Sequence, residues 1–510
     1  MRQWADDISV TDDDIEYLTG LLLEREIPLT IDELAHALVA YRLEQEAAEQ
    51  RERFKDTRVY NPAQTYEVGQ KVYFPALEYR VGTVKAVRPG DNAEYGDFAV
   101  IAVEFEEDAA QEFATSLTSY HKLSDLLEVD SAPLLDGSAD ELYADNRAII
   151  VPKLEARLRE DSDLVSVAGK WFSRGLMLDV NEGHLNLAEA VLYTVEGGPM
   201  SAEKIAAEIG GVSDTAPFDL QVFCLNDALN QDKRFDEVGP IDSVLWYLRS
   251  FEPAEVLNPP NVLKYNEIDY DPTLLTTEQV ALESEIDDEW SPEAESPILG
   301  DEVTLTLNYA HWRAGTLPLN TKMRHIFPTA RRTQRIAVTL VDGQDGESYA
   351  GWVVRPERFV YGLETFYRKH KLPIGAYVIV RRVGDKIEVD FRAHRPHTEW
   401  VRVVENKNNQ ITFEEERRAI GAEYDDLMIL WADEPTVADS SYNGKRPLTQ
   451  VLRTVAAELT RSSPQGTVHA KTLYSAANVL RRCSPGAVFA TLIGDPEFQY
   501  VGNHYWRFGA

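Results

Sequence analysis

Between Asn266 and Glu302 the chain carries 13 Asp/Glu and neither lysine nor arginine. Such a run repels itself and holds too little apolar surface to fold alone, so it predicts an acidic linker that splits the chain into two halves. Pro272, Pro292 and Pro297, spaced through it, point the same way. The flanking charge is just as uneven. Residues 301–404 hold 17 Lys/Arg against 11 Asp/Glu, with five of the ten histidines, and residues 445–510 hold 8 against 3. The formal net charge of the whole chain is nevertheless −35. A face that binds a polyanion must concentrate positive potential, and a whole-chain total hides it when other domains are acidic. Nucleic acid is therefore expected at two defined places.

With 510 residues, a single core is not expected, and the chain predicts about three to five domains. Cys224 and Cys483 stand alone and far apart, which argues against a disulfide framework or a cysteine-rich zinc site and fits a reducing compartment. The opening MRQWADDISVTDDD is acidic and does not read as a signal peptide. No stretch approaches the roughly 18 apolar residues of a membrane span. A soluble cytoplasmic protein without membrane contact is expected.

The period of the apolar residues sets the domains. Residues 1–58 read as an N-terminal helical domain. Ile15, Leu18, Leu21 and Leu22 recur at helical spacing, Pro28 interrupts them, and Thr30 with Glu33 opens a second stripe through Leu34, Leu38 and Tyr41. The string PLTIDELAHAL is similar to the second helix of a bundle or of a helix-turn-helix. From Tyr66 the period falls to two in VGQKVYF, RVGTVKAV and FAVIAVEFE. Residues 59–128 therefore resemble a small SH3-like or KOW-type barrel of about five strands. Its acidic end (Glu104, Glu106, Glu107, Asp108) favours a protein contact. Residues 129–184 read as a helical connector.

An internal repeat follows. Residues 185–252 run LNLAEAVLYTVEG, a Gly-Gly-Pro turn, SAEKIAAEIG, LQVFCLNDALNQD and a β-like wing, RFDEVGPIDSVLWYL. Residues 445–510 repeat that order with LTQVLRTVAAELT, HAKTLYSAANVLRR, SPGAVFATLIGD and FQYVGNHYWRF. Between the copies lie the acidic linker (266–300), strand-like runs with turn chemistry in 301–404, and a stretch 405–444 that reads as an acidic helical connector.

GGPMSAEKIAAEI, LNDALNQDKRFDEVG and VLWYL make 185–265 similar to the HARE-type winged helix, the module of the delta subunit of bacterial RNA polymerase. Residues 445–510 resemble a degenerate second copy, with a longer turn and no Gly-Gly-Pro. The resemblance implies a non-catalytic module with protein or nucleic-acid contacts in transcription. TLPLNTKMRHIFP, VTLVDGQDGESYAGWVVRPERFVYG and FYRKHKLPIGAYVIVRR make 301–404 similar to the B3 type of DNA-binding pseudobarrel. Two departures stand out: Leu317-Pro318-Leu319 replaces the usual Ile-Pro-Lys, and Gly375-Ala376 the usual Gly-Asp. This second resemblance implies two arms in the major groove, matching Arg313–Arg324 and Tyr349–Arg358.

The expected fold class is multidomain α+β: winged-helix repeats, an SH3/KOW-like small β-barrel and a B3-like β-pseudobarrel joined by an acidic linker. Arg313, Lys322, Arg324, Arg331 and Arg332 cluster in loop-like sequence, and Arg355 and Arg358 follow the Trp352 hairpin. A guanidinium stays charged and pairs bidentately with guanine or phosphate. In the last repeat Lys471, Arg481 and Arg482 flank the helix expected to enter the groove, with His504 and Arg507 on the wing. The competing structural reading is a solvated basic face clamped by the acidic linker. The middle repeat holds 4 Lys/Arg and 12 Asp/Glu, which repels phosphate and favours a protein partner such as RNA polymerase.

His394 and His397 fall short of the three or four ligands zinc takes, and DGQDGE reads as a hairpin loop rather than a cation site. Nucleotide-binding P-loop, H-E-x-x-H and G-x-S-x-G patterns are absent. No metal, cofactor or catalytic residue is assigned. The expectation is a bacterial, cytoplasmic or nucleoid-associated, non-enzymatic and transcription-associated protein that binds DNA and a protein partner. The alternatives are an acidic interaction scaffold that competes with DNA, and a nuclease or restriction-linked component.

Overall fold

The computed structural model describes residues 9–54, 56–77, 80–92, 96–105, 108–119, 121, 138–292, 300–407, 410–433 and 445–509. Contacts divide the α+β chain into two units, Met1–Leu178 with Thr215–Phe223 and Asp179–Asp214 with Cys224–Ala510.

In the first unit, helix α1 (Asp12–Arg25) opens on a capping box between Thr11 and Asp14. Strand β1 (Leu29–Thr30) leads into helix α2 (Ile31–Phe54). A five-stranded sheet follows, with β2 (Thr57–Val59), β3 (Lys71–Phe74), β4 (Arg80–Pro89), β5 (Ala99–Phe105) and β6 (Asp108–Thr115) in chain order. The segment after β2 meets the end of β6, where Leu117 donates its N–H to Pro62 O (2.9 Å) and Ser116 to Gln64 O (3.0 Å). The sheet thus curls around Tyr60, Tyr66, Val72, Phe74, Ile101 and Phe105. Glu106 and Glu107 lie outside the described residues. Helix α3 (Ala139–Arg159) and the hairpin β7 (Leu164–Val167) and β8 (Lys170–Ser173) close the unit, and β1 joins them in the order β1–β8–β7.

Residues 1–58 and 129–184 are expected as separate elements, but their described parts within the first unit, 9–54 and 138–178, form one module. Asp32 of α2 accepts from Arg147 of α3 at 2.6 and 3.0 Å, and the helices bury Leu18, Leu22, Leu34, Leu38, Leu154 and Leu158. The five-stranded sheet is an insertion in it, which hid the pairing because α2 meets its partners only after that sheet.

The second unit starts with helices α4 (Glu182–Thr194) and α5 (Ala202–Ile209). Helix α6 (Phe218–Gln231), which belongs to the first unit as far as Phe223 and to the second from Cys224, and the strands β9 (Phe235–Glu237) and β10 (Trp246–Leu248) follow. Met200, just before α5, pairs with Trp246.

The acidic run is not a linker. It continues from a short helix α7 (Ala254–Leu257) through a 3-10 turn at Pro272–Leu274 into helix α8 (Thr277–Ile286), which opens on a Thr276/Gln279 capping box. Leu282 enters a core shared with the last module, and Asp288 and Glu289 are buried. Self-repulsion would keep the isolated run unfolded, but here the countercharges and the apolar surface come from the far end of the chain. Residues 293–299, Pro297 among them, lie outside the described residues.

The basic region builds β11 (Glu302–Thr306), helix α9 (Tyr309–Ala314), β12 (Thr316–Pro318), β13 (Arg335–Asp342), β14 (Ser348–Val354) and β15 (Phe359–Tyr361). Helix α10 (Glu364–His370), β16 (Tyr377–Val383) and β17 (Lys386–Phe391) complete it. The seven strands lie in the order β11–β16–β17–β13–β14–β15–β12, with β13 and β17 parallel. Leu317, Phe327, Ile336, Val353, Phe366 and Val378 are among the residues of its core. Helix α9 stops at Gly315, whose φ of +62° is left-handed and where a Cβ would sit 2.7 Å from the Glu364 backbone nitrogen.

The stretch 405–444 was expected to be a helical connector; its first half is a long hairpin, β18 (Ala393–Lys407) with β19 (Gln410–Ala422). Opposite charges face each other across it, Arg402 to Glu415 and Glu399 to Arg418, while Val401, Val403 and Ile420 are buried. Of the acids that resemble a helix surface, Glu415 is one side of these pairs, and Glu414 and Glu416 pair with Lys407 and Arg418. Residues 434–444 lie outside the described residues.

The last module comprises α11 (Leu448–Ser462), β20 (Thr467–His469), α12 (Ala470–Leu480), α13 (Pro485–Gly494), β21 (Phe498–Gly502) and β22 (Tyr505–Phe508). Its sheet order is β20–β22–β21. The plan of helix, extended residue, two helices and hairpin therefore occurs three times. In each copy an apolar residue before the second helix faces a tryptophan in the final strand: Leu29–Trp171, Met200–Trp246 and Val468–Trp506. Sequence reading finds two copies, and the structure adds the interrupted first one.

Candidate nucleic-acid interface

Nine of the ten basic candidates fall into two groups, one in contact with or buried near the acidic strap of residues 266–292 and one around the loop from β12 to β13. Every residue of α12 is buried, so the flank expected to face a groove faces protein. The Arg482 guanidinium is fully buried and lies 2.7 Å from Asp288 and 2.5 Å from Glu289. It also donates to Asn478 Oδ1 (2.7 Å) and to the Cys483 carbonyl (2.9 Å). Burial opposes the charge of Glu289, but Arg482 and His311 outweigh it and hold the carboxyl far below the usual range.

Lys471 reaches Glu285 at 2.5 Å and Asp425 at 2.8 Å. Burial works against its charge, and those two carboxylates more than compensate, raising its pKa. Arg481 is buried and donates to the Arg446 carbonyl and to Asn266 O (3.4 Å). Lys471, Arg481 and Arg482 were expected to meet nucleic acid; their charges are spent inside the protein. A cation sealed against its own carboxylates offers a phosphate nothing.

The strap also reaches the seven-stranded domain. Lys322 pairs with Asp287 at 3.3 Å. Arg358 donates to the Glu289 carbonyl (2.8 Å) and lies 4.6 Å above the Trp290 ring, which itself stacks on Tyr265 at 4.6 Å. Sequence reading missed Glu285, Asp287, Asp288, Glu289 and Trp290. The available signal was an apolar stripe, Leu282 and Ile286, ending in a tryptophan inside an otherwise acidic run.

The other group gathers around the loop from β12 to β13. Arg355 donates to the carbonyls of Phe327 (3.1 Å) and Pro328 (2.5 Å), which ties the β14 end to that loop. Burial, and then the charge of Arg324, make Arg355 hold its proton less firmly than a free guanidinium. Two like charges are thus held close together. Arg331 and Arg332 are exposed in the same loop, and burial pushes up the Glu237 carboxyl while these two arginines pull it down. Ile241 anchors the loop by donating its N–H to Thr329 O at 2.7 Å. Arg335, at the strand start, is committed to Asp236 (2.8 Å) and Glu252 (3.1 Å).

Arg313 stands apart, lining a cavity between α9 and α10. Asp342, Asp345 and Glu347, weighed as a cation site, surround the Lys369 ammonium at 2.8, 2.5 and 2.8 Å, so a side chain supplies the positive charge there. His394 is half-buried and His397 exposed, with ring centroids 4.6 Å apart. Among the described residues no group of three or more His, Cys, Asp or Glu is arranged to hold a metal ion, and no helix is long and apolar enough to cross a membrane. No protein family, curated protein or solved structure matches the chain.

Proposed function

We propose that this is a non-enzymatic, transcription-associated protein that binds DNA through its seven-stranded domain and a protein partner through its acidic modules. The observation that carries the reading is the convergence of Arg324, Arg355, Arg331 and Arg332 on one loop. Asp287, beside Arg324, and Glu237, beside Arg331 and Arg332, offset part of that charge, and phosphate is the anion a fork of guanidiniums fits. Seven strands with two short helices, and a loop and hairpin turn side by side at one end, support the B3-like reading with its two arms.

The threefold plan, with the first extended segment pairing to the last strand, supports a winged-helix reading for all three modules. In the C-terminal copy the third helix, PGAVFATLIG, has no cation, and the strap sits on it: a Cβ on Gly486 would lie 2.3 Å from the Tyr270 hydroxyl and 2.4 Å from Glu283. That copy serves as the strap's docking partner, and DNA is left to the seven-stranded domain. The acidic middle copy would hold a protein such as RNA polymerase in a bacterial cytoplasm.

A second reading, an interaction scaffold without DNA, is favoured by the strap contacts already made to Lys322, Arg358, Lys471 and Arg482. Anisotropy titrations of the full chain against duplex DNA over a salt series separate the two. The DNA reading expects a steep salt slope, and Arg331→Ala with Arg332→Ala should weaken binding roughly tenfold and flatten the slope by about 1 to 2. Absence of binding at low salt, or a double variant indistinguishable from the parent, would establish the scaffold instead. Nicking of plasmid in Mg²⁺ would revive the nuclease alternative.

A further inference from the structure

A cavity of about 220 Å³ opens between the C-terminal ends of α9 and α10 and residues 431–433, lined by Trp312, Tyr367, Trp431, Arg313, Arg368 and Lys371 among others. Each aromatic ring is fixed by its own polar hydrogen. The Trp312 indole donates to Leu372 O (2.9 Å), the Tyr367 hydroxyl to Thr316 O (2.7 Å) and the Trp431 indole to Asp433 Oδ1 (2.8 Å). With those polar ends engaged, the rings bring chiefly apolar surface to the cavity, and they are already ordered, so binding need not immobilise them.

The rim sets the sign of the ligand. Three cations and two carboxylates meet there, and both carboxylates are matched by arginines, Glu364 by Arg368 at 2.5 Å and Asp433 by Arg418 at 2.8 Å. Lys371 is exposed at the edge, where the left-handed C-cap of α10 places it. An anion is favoured over a neutral or cationic group. Volume then limits the rest. Drug-sized ligands occupy pockets of roughly 300 Å³ and above, so this cavity takes one flat ring system and leaves the charged group outside.

We infer that the cavity is a mononucleotide site, with the base among Trp312, Tyr367 and Trp431 and the 5′-phosphate at the exposed Lys371 ammonium. Base–aromatic stacking tolerates any base because each presents a π-face, so shape and charge are recognised rather than sequence. The nucleotide can be free or an unpaired unit of a strand; the second case rests on the DNA-binding reading above, the first does not.

The test is calorimetric titration of the full chain with adenosine monophosphate, cytidine monophosphate, adenosine and inorganic phosphate. Saturable binding of both nucleotides, at least tenfold tighter than adenosine or phosphate alone, is expected. Lys371→Ala, a change at an exposed position, should weaken the nucleotides about fivefold and leave adenosine unchanged. No saturable nucleotide binding at millimolar concentration, or equal effects of the variant on nucleotide and nucleoside, overturns the site. A duplex with a one-nucleotide overhang, compared with its blunt counterpart, assigns the source: preference for the overhang means a strand unit, and equal affinity with retained mononucleotide binding means a free nucleotide. Arg331→Ala with Arg332→Ala should leave mononucleotide affinity intact, so failure of the duplex interface and failure of the pocket are told apart.

Discussion

Arg482 and Arg331 carry the same guanidinium, yet one is fully buried between Asp288 and Glu289 and the other lies exposed in a loop. The difference dictates what each substitution does. Removing a buried ion-pair partner strands the opposite charge in a poorly solvated place and costs roughly 3–5 kcal/mol. Arg482→Ala is therefore expected to lower the urea midpoint steeply, whereas exchanging Arg482, Asp288 and Glu289 together for Met, Asn and Gln restores much of the loss. A midpoint for Arg482→Ala close to the parent's would show that water reaches this cluster. The exposed Arg331 offers no such penalty, which is why it is the position at which a binding effect can be read without a folding effect.

At the scale of elements, the strap decides how the basic surface is used. Its helix α8 has the capping box Thr276/Gln279 and a buried Leu282, both features of a formed and packed helix. Its amides should then exchange slowly, and Leu282→Ala should speed them together with those of α13, against which the strap lies. Free exchange throughout 272–290 in the parent protein would return this segment to a solvated linker. The cap and the Leu282–Ile286 spacing were legible in the chain. What made them count was not, because the isolated run has no cation of its own and its countercharges arrive from outside it, Lys322, Lys471 and Arg482 among them. The hairpin β18–β19 was misread for a related reason. Glu414–Glu416 looks like a solvated helix face until Arg402 is placed opposite Glu415 on the neighbouring strand and Arg418 beside Glu416 on the same one.

At the scale of the molecule, one plan is used three times and interrupted once. His36 and Asp140, near the starts of α2 and α3, meet at 2.6 Å. The chain leaving Phe54 must therefore return about 27 Å along α2, at 1.5 Å per residue, to begin α3. An extended linker of about 8 residues is the minimum for that span, and a flexible one needs nearer 25. Replacing residues 56–137 by such a Gly/Ser linker should leave the first module folded, with its Leu29–Trp171 pairing intact by tryptophan fluorescence and circular dichroism. Loss of cooperative unfolding in the excised chain would mean that the inserted sheet is part of that module's core.

The amino-acid order by itself determined where most strands of the two larger sheets and many helices lie, that the basic region is a strand-rich domain, and that one plan recurs, since periodicity, caps and turn residues act over a few positions. Only the tertiary structure decided that the first copy is split, that the acidic run is a packed strap, and which of ten cations still face outward. Those are questions of which distant charge ends up beside which, and electrostatic partners hundreds of residues apart leave no local trace in a chain.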